Sequence, residues 1–208
     1  MVTTIRQAVK LDVMQAAEVE KACWPAPLCF TAKRMISILK TFPEGFLLAE
    51  TSGNVVGFVT SLRVDRDTVV GPYPSWHDIT DNGSIVRTHR PDGNCLFVMA
   101  VSVYPFIQDN SIGRQLVNAE VDLARRLPGV TSVLGYTRIP RYKRKSHLSV
   151  EEYLALKRPG GRYFDSVLDF HVNNGAQIIK PVPGARPRDQ KSLGYGVLIS
   201  YDEHLRTN

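Results

Sequence analysis

Gln108, Asp109, Asn110, Ser111, Ile112, Gly113 and Arg114 stand between an apolar run at residues 95–103 and a stretch in which Ile112, Leu116, Ala119, Leu123 and Leu127 recur at helical spacing. A strand that ends at a loop opening a helix presents unpaired N–H groups at the positive end of the helix dipole, an arrangement suited to phosphate. Arg114 would add charge there. For a base no carboxylate stands out: Glu50 reads equally well as an exposed strand residue, a water chain to bulk solvent would also serve, and no base is assigned. His77 and His89 occur in a long interruption, where a lone histidine is more often structural than catalytic. The five histidines and three cysteines (Cys23, Cys29 and Cys95) form no metal-ligand pattern, so no metal is expected. The loop lacks G-x-G-x-x-G, which argues against a dinucleotide fold.

These residues need elements to hold them. Residues 4–9 alternate as a strand, and Asp12 is placed to cap a helix running to about residue 22, which Trp24-Pro25 stops. A second helix is expected over 31–40. Residues 46–50 and 55–62 read as a hairpin turned by Thr51-Ser52-Gly53-Asn54. Residues 71–94 form the interruption. After the central helix, 131–136 reads as a parallel strand. Ser149 with Glu152 makes a capping box, and 165–174 reads as the last helix, closed by Gly175. Strands at 177–182 and 193–201 end the chain. This alternation predicts an α/β (α+β mixed sheet) fold with helices on both faces, in a single domain spanning 1–208.

The pattern also resembles the GNAT superfamily of acetyl-CoA-dependent N-acetyltransferases. Val103, Gln108, Ser111 and Gly113 fall on the family's strand–loop–helix motif, with Ser111 where a glycine is usual. Leu48-Ala49-Glu50 and Val56-Gly57 match its hairpin, and 167–175 its later helix, with His171 where many members have tyrosine. Segments 76–83, 89–94 and 149–153 resemble a subgroup sometimes fused to nitrilase-like domains, although these residues hold no nitrilase-like part. The resemblance implies a GNAT-like mixed sheet and acetyl transfer from acetyl-CoA to an amine in a ternary complex. It implies that the backbone at Val101, Ser102 and Val103 holds the pantetheine arm and that 108–114 cradles the pyrophosphate. His171 would then be the general acid, with Tyr136 as a second candidate. The implied acceptor is a small-molecule or peptide amine, and relatives are commonly homodimers. A different class of reading is a catalytically weak acyl-CoA sensor or partner-binding module, motivated by Ser111 and His171.

Composition agrees with a packed globule: 43% of the 208 residues are hydrophobic and 9% aromatic. No apolar run approaches a membrane span, and residues 1–10 lack a secretory core, so a cytoplasmic protein with free thiols is expected. The net charge of +6 is concentrated at Arg138, Arg141, Lys143, Arg144 and Lys145. That loop reads as a solvated face, as a contact for coenzyme A phosphates, or as a nucleic-acid patch; the last lacks a recognised module and an aromatic platform.

Overall fold

The computed structural model describes residues 2–72, 74–107 and 111–206. In chain order the elements are β1 (Thr3–Gln7), α1 (Val13–Cys23), α2 (Ala32–Thr41), β2 (Phe46–Thr51), β3 (Asn54–Val64), α3 (Arg66–Val70), α4 (Trp76–Thr80), β4 (Cys95–Val103), α5 (Ser111–Arg126), β5 (Ser132–Thr137), α6 (Val150–Ala155), α7 (Ser166–Asn173), β6 (Gln177–Val182), β7 (Gly196–Ser200) and α8 (Asp202–Arg206). The strands form one seven-stranded mixed sheet in the order β1-β2-β3-β4-β5-β7-β6. Among the described residues only β4 and β5 pair in parallel.

Alternation along β3 assigns its two faces. Phe58 and Leu62 join Phe46 and the α1–α2 residues Val13, Ala16, Met35 and Ile38, while Val59 meets Ile112 and Leu116 of α5. Helices therefore cover both faces, and the sheet between them carries the core. The capping signals are realised: Ser149 and Glu152 form a reciprocal box, the Asp165 carboxylate accepts from the N–H groups of Val167 and Leu168, and Gly175 closes α7 at φ +91°.

Three expectations are corrected. Asp12 makes no side-chain cap on α1; its carboxylate instead faces back along the chain, binding the Arg6 guanidinium at 2.7 and 2.8 Å and accepting from the Val9 N–H at 2.8 Å. The interruption at 71–94 is not irregular throughout, because Ser75 caps α4 and Trp76 is buried, its indole N–H donating to the Met99 carbonyl. The chain also does not end in strands: α8 follows β7, and its Asp202 accepts from the Val133 N–H at 2.8 Å.

One irregularity shapes the functional surface. Thr60 pairs with Ala100 but Ser61 with Val98, so Met99 is an extra residue in β4. A bulge bends its strand and increases its twist. Pairing of β4 with β5 stops at Val98–Gly135. Beyond it β4 remains on β3 as far as Val103–Gly57, and β5 remains on β7 as far as Thr137–Val197. The two central strands thus diverge and leave a cleft between them.

Candidate active site

The head of the cleft is a cavity bounded by Met99, Ala100 and Val101 of β4, Tyr136 and Thr137 of β5, and His171 of α7, with Trp24 and Arg186 closing its other side. Val101 and Val167 also line a second stretch of cleft that continues past Val103, Gly113 and Phe170. Phe170 and Ser166 lead on to a polar end formed by Ser111, Arg114, Arg158 and Arg162. The trough therefore runs from an apolar head along an unpaired strand edge to the first turn of α5 and three guanidiniums.

Gly113 is required by shape. A Cβ at this position would lie 2.8 Å from the Phe170 ring, so only glycine lets α5 pack against α7 as it forms one wall of the trough. Ser111 opens α5 and its hydroxyl accepts from the Gln115 amide at 3.2 Å. Ile112 is buried against Val59 and Leu116, anchoring the first turn. Gln108, Asp109 and Asn110 lie outside the described residues.

Of the β4 residues named from sequence, Val101 and Val103 line the trough, but the Ser102 side chain is turned away. Its hydroxyl donates to Glu20 Oε2 at 2.9 Å and accepts from the Trp24 indole N–H at 2.7 Å. Tyr136 reaches the head cavity, yet its hydroxyl donates to the Pro74 carbonyl at 3.0 Å and burial pushes its pKa up to about 12. His171 lies in the cavity wall with Nδ1 2.7 Å from the Tyr201 hydroxyl. Burial, reinforced by the Arg186 charge, lowers its pKa to about 4. At pH 7 this ring is therefore neutral, with one N–H to donate.

The main residue missed in the sequence is Glu20. It is fully buried on α1, accepts from the Phe30 N–H at 2.9 Å and the Ser102 hydroxyl, and borders a second cavity beside the first. Burial raises its pKa to about 7, partly offset by those two hydrogen bonds and by Arg186. The second cavity shares Trp24, Met99, Ala100 and Arg186 with the head of the trough. Arg186 is buried, donates to the Tyr136 carbonyl at 2.7 Å, and lies over Trp24 and Trp76. Its pKa falls to about 10 through burial and the neighbouring Arg138.

The basic loop divides. Arg138 is buried in a bidentate pair with Asp189 (2.6 and 2.9 Å), and Arg141 donates to the Phe164 carbonyl at 3.1 Å. The cations at the polar end of the trough are instead Arg114, Arg158 and Arg162, the last two also paired with Asp169. His89 is structural: its Nδ1 accepts from the Arg63 N–H at 3.2 Å and its ring stacks on Phe42. Glu50 pairs with Arg6. All three cysteines are free; Cys95 is buried and Cys23 and Cys29 half-buried. Among the described residues no helix is long and apolar enough to cross a membrane, and no cluster of potential metal ligands occurs.

Known proteins are similar to this chain in sequence and fold. The profile of the acetyltransferase (GNAT) family matches residues 13–144. The uncharacterized N-acetyltransferase YkwB of Bacillus subtilis is 35% identical over 205 residues, covering 95% of this chain and 88% of that protein. The probable hydrolase YhcX of the same organism is 32% identical over 199 residues; the match covers 95% of this chain but only 38% of YhcX. Among solved structures, the loading GNATL domain of CurA from Lyngbya majuscula superposes with a TM-score of 0.86 at 25% identity, covering 98% of this chain and all of that one. The GphF GNAT-like decarboxylase, solved with isobutyryl-CoA, gives 0.80 at 28% identity, covering 95% and 97%.

Proposed function

The chain belongs to the acetyltransferase (GNAT) family, and from that premise we propose that it transfers the acetyl group of acetyl-CoA to an amine. The observation that carries this reading is the pair of adjoining cavities, one opening from the cleft between β4 and β5 and one beside Glu20, which meet at Met99–Ala100. Two reactants entering from opposite sides would meet there, which removes most of the entropic cost of a bimolecular encounter.

The residues fit such a co-substrate. The unpaired edge of β4 from Met99 to Val103 offers main-chain groups to the amides of a pantetheine arm, as an added strand would. The first turn of α5 with Arg114, Arg158 and Arg162 suits the phosphates. In the transfer, the neutral amine forms a C–N bond to the thioester carbon, the C–S bond breaks, and coenzyme A departs as the thiolate, which takes its proton from solvent as Glu20 later returns one. Glu20, with its pKa near neutrality, takes the proton that the amine loses. The N–H of His171, with Nδ1 held by Tyr201, faces the developing negative charge. Isothermal titration with acetyl-CoA, repeated on Gly113→Trp, tests the site: binding to the wild type and none to the folded variant is expected. No binding to the folded wild type overturns the reading.

Arg186 favours a second reading. Its guanidinium lies in the wall of the head cavity with Nε buried and unpartnered, where it could receive a carboxylate on the acyl chain. Together with the GphF likeness, this supports decarboxylation of a carboxyacyl-CoA. The bond between the α-carbon and the carboxylate would break, CO2 would leave, and the electron pair would pass into the thioester as an enolate that is protonated at carbon. Malonyl-CoA incubated without an amine separates the two readings: CO2 release with acetyl-CoA accumulating supports the second, and inert malonyl-CoA excludes it.

A further inference from the structure

The cavity beside Glu20 carries more positive charge than acetyl transfer requires. Arg34 of α2, Arg186 and Arg188 all border it, against a single carboxylate, Glu20. Neighbouring guanidiniums are neutralised locally, as Arg138 is by Asp189, but among the described residues none of these three has a carboxylate within ion-pair distance. Two buried nitrogens here, Arg186 Nε and His77 Nδ1, have no hydrogen-bond partner. His77 is kept neutral first by burial and then by Arg188, Arg186 and Arg34, so the three cations act on one volume. Arg186 is buried, Arg34 half-buried and Arg188 exposed at the rim, so an anion entering this volume meets donors that no carboxylate already holds.

The rest of the lining is largely apolar. Phe30 and Trp76 meet edge to face with ring centroids 5.6 Å apart, and Leu28 and Pro27 continue the surface. Resting on the transfer reading above, we propose that the acceptor is a free amino acid with an apolar side chain. Its carboxylate is received by Arg34 and Arg188, its side chain lies on Phe30 and Trp76, and its amine points to Glu20 and the Met99–Ala100 opening. Arginine suits this role because its planar fork matches a carboxylate.

The experiment measures thiol release from acetyl-CoA by the purified chain with each of the twenty amino acids, the methyl esters of those accepted, and amines of matching side chain that lack the carboxylate. Apolar amino acids should be acetylated, with kcat/KM for the ester and the bare amine lower by roughly 100-fold or more, because their binding leaves the cations unpaired. In Arg34→Gln/Arg188→Gln, with folding checked by thermal melt, the KM for the amino acid should rise at least tenfold and preference over the ester should vanish, while the KM for acetyl-CoA is unchanged. Esters or bare amines that react as well as the acids overturn the inference and leave acetyl transfer standing. Acetyl-CoA binding without acetylation of any of these amines overturns both.

Discussion

Replacing Glu20 by glutamine tests the assignment of the base through two independent readouts. The substitution preserves shape: the amide oxygen can accept from the Phe30 N–H, and the amide nitrogen can donate to Ser102 Oγ. It removes the group that takes the amine proton, so kcat/KM should fall by roughly 10² to 10⁴. The wild-type rate should rise with pH to a plateau above about 7, where Glu20 is ionised, and the variant should lose this acid limb. Stability should respond with the opposite sign. A carboxyl raised from 4.5 to about 7 stays protonated longer in the folded than in the unfolded chain, so wild-type stability is lost as pH climbs through that interval. At 1.36 kcal/mol per pH unit the loss approaches about 3 kcal/mol, or roughly 6–12 °C in Tm for a chain of this size. Glu120, buried on α5 and raised to about 8, adds its own slope, but it is common to both proteins and cancels in the comparison. The melting temperature of Glu20→Gln relative to wild type should therefore increase between pH 5 and pH 8. A variant within a few-fold of wild-type activity with the same acid limb, or a Tm difference that is flat with pH, would refute the reasoning.

Three further outcomes are expected. Gly113→Val puts a Cβ 2.8 Å from the Phe170 ring; it should cost about 1–3 kcal/mol in chemical denaturation and weaken acetyl-CoA at least tenfold in calorimetry, and unchanged affinity would remove this wall from the cofactor path. Asp189→Asn strands the buried Arg138 guanidinium, which Asp189 now holds at 2.6 and 2.9 Å. It should destabilise the fold by about 3–5 kcal/mol, and a urea midpoint shift worth under about 1 kcal/mol would show that the pair is not buried in solution. Tyr201→Phe removes the hydroxyl 2.7 Å from His171 Nδ1 and frees the imidazole tautomer; kcat should drop roughly tenfold, the worth of one neutral hydrogen bond, with the KM for acetyl-CoA unmoved. A change in KM alone would make His171 a binding residue.

What could be read from the chain was local. The apolar run from Cys95 to Val103 and the stripe through Ile112, Leu116 and Leu123 became β4 and α5, and the Ser149 and Asp165 caps formed, because each depends on neighbours within a few positions. The basic loop misled for the complementary reason: five cations close in sequence say nothing of Asp189, which draws Arg138 inward from 51 residues away. Glu20 is the instructive case. Glu18 and Glu20 look alike two residues apart, yet Glu18 is exposed beside Lys21 while Glu20 is buried on Ser102, 82 residues distant. A signal was present, because Glu20 continues the buried stripe of Val13, Ala16 and Ala17 at helical spacing, and a carboxylate on such a stripe must find partners or hold a proton. That signal alone does not identify a base. Glu120 extends the stripe of Leu116 and Val117 in the same way, is equally buried, and borders neither cavity of the cleft head. The two carboxylates differ in their position relative to the Met99 bulge, where β4 parts from β5 and the cavities meet. Burial raises both pKa values, but only Glu20 borders the opening of the sheet, where the proposed transfer would bring it a substrate.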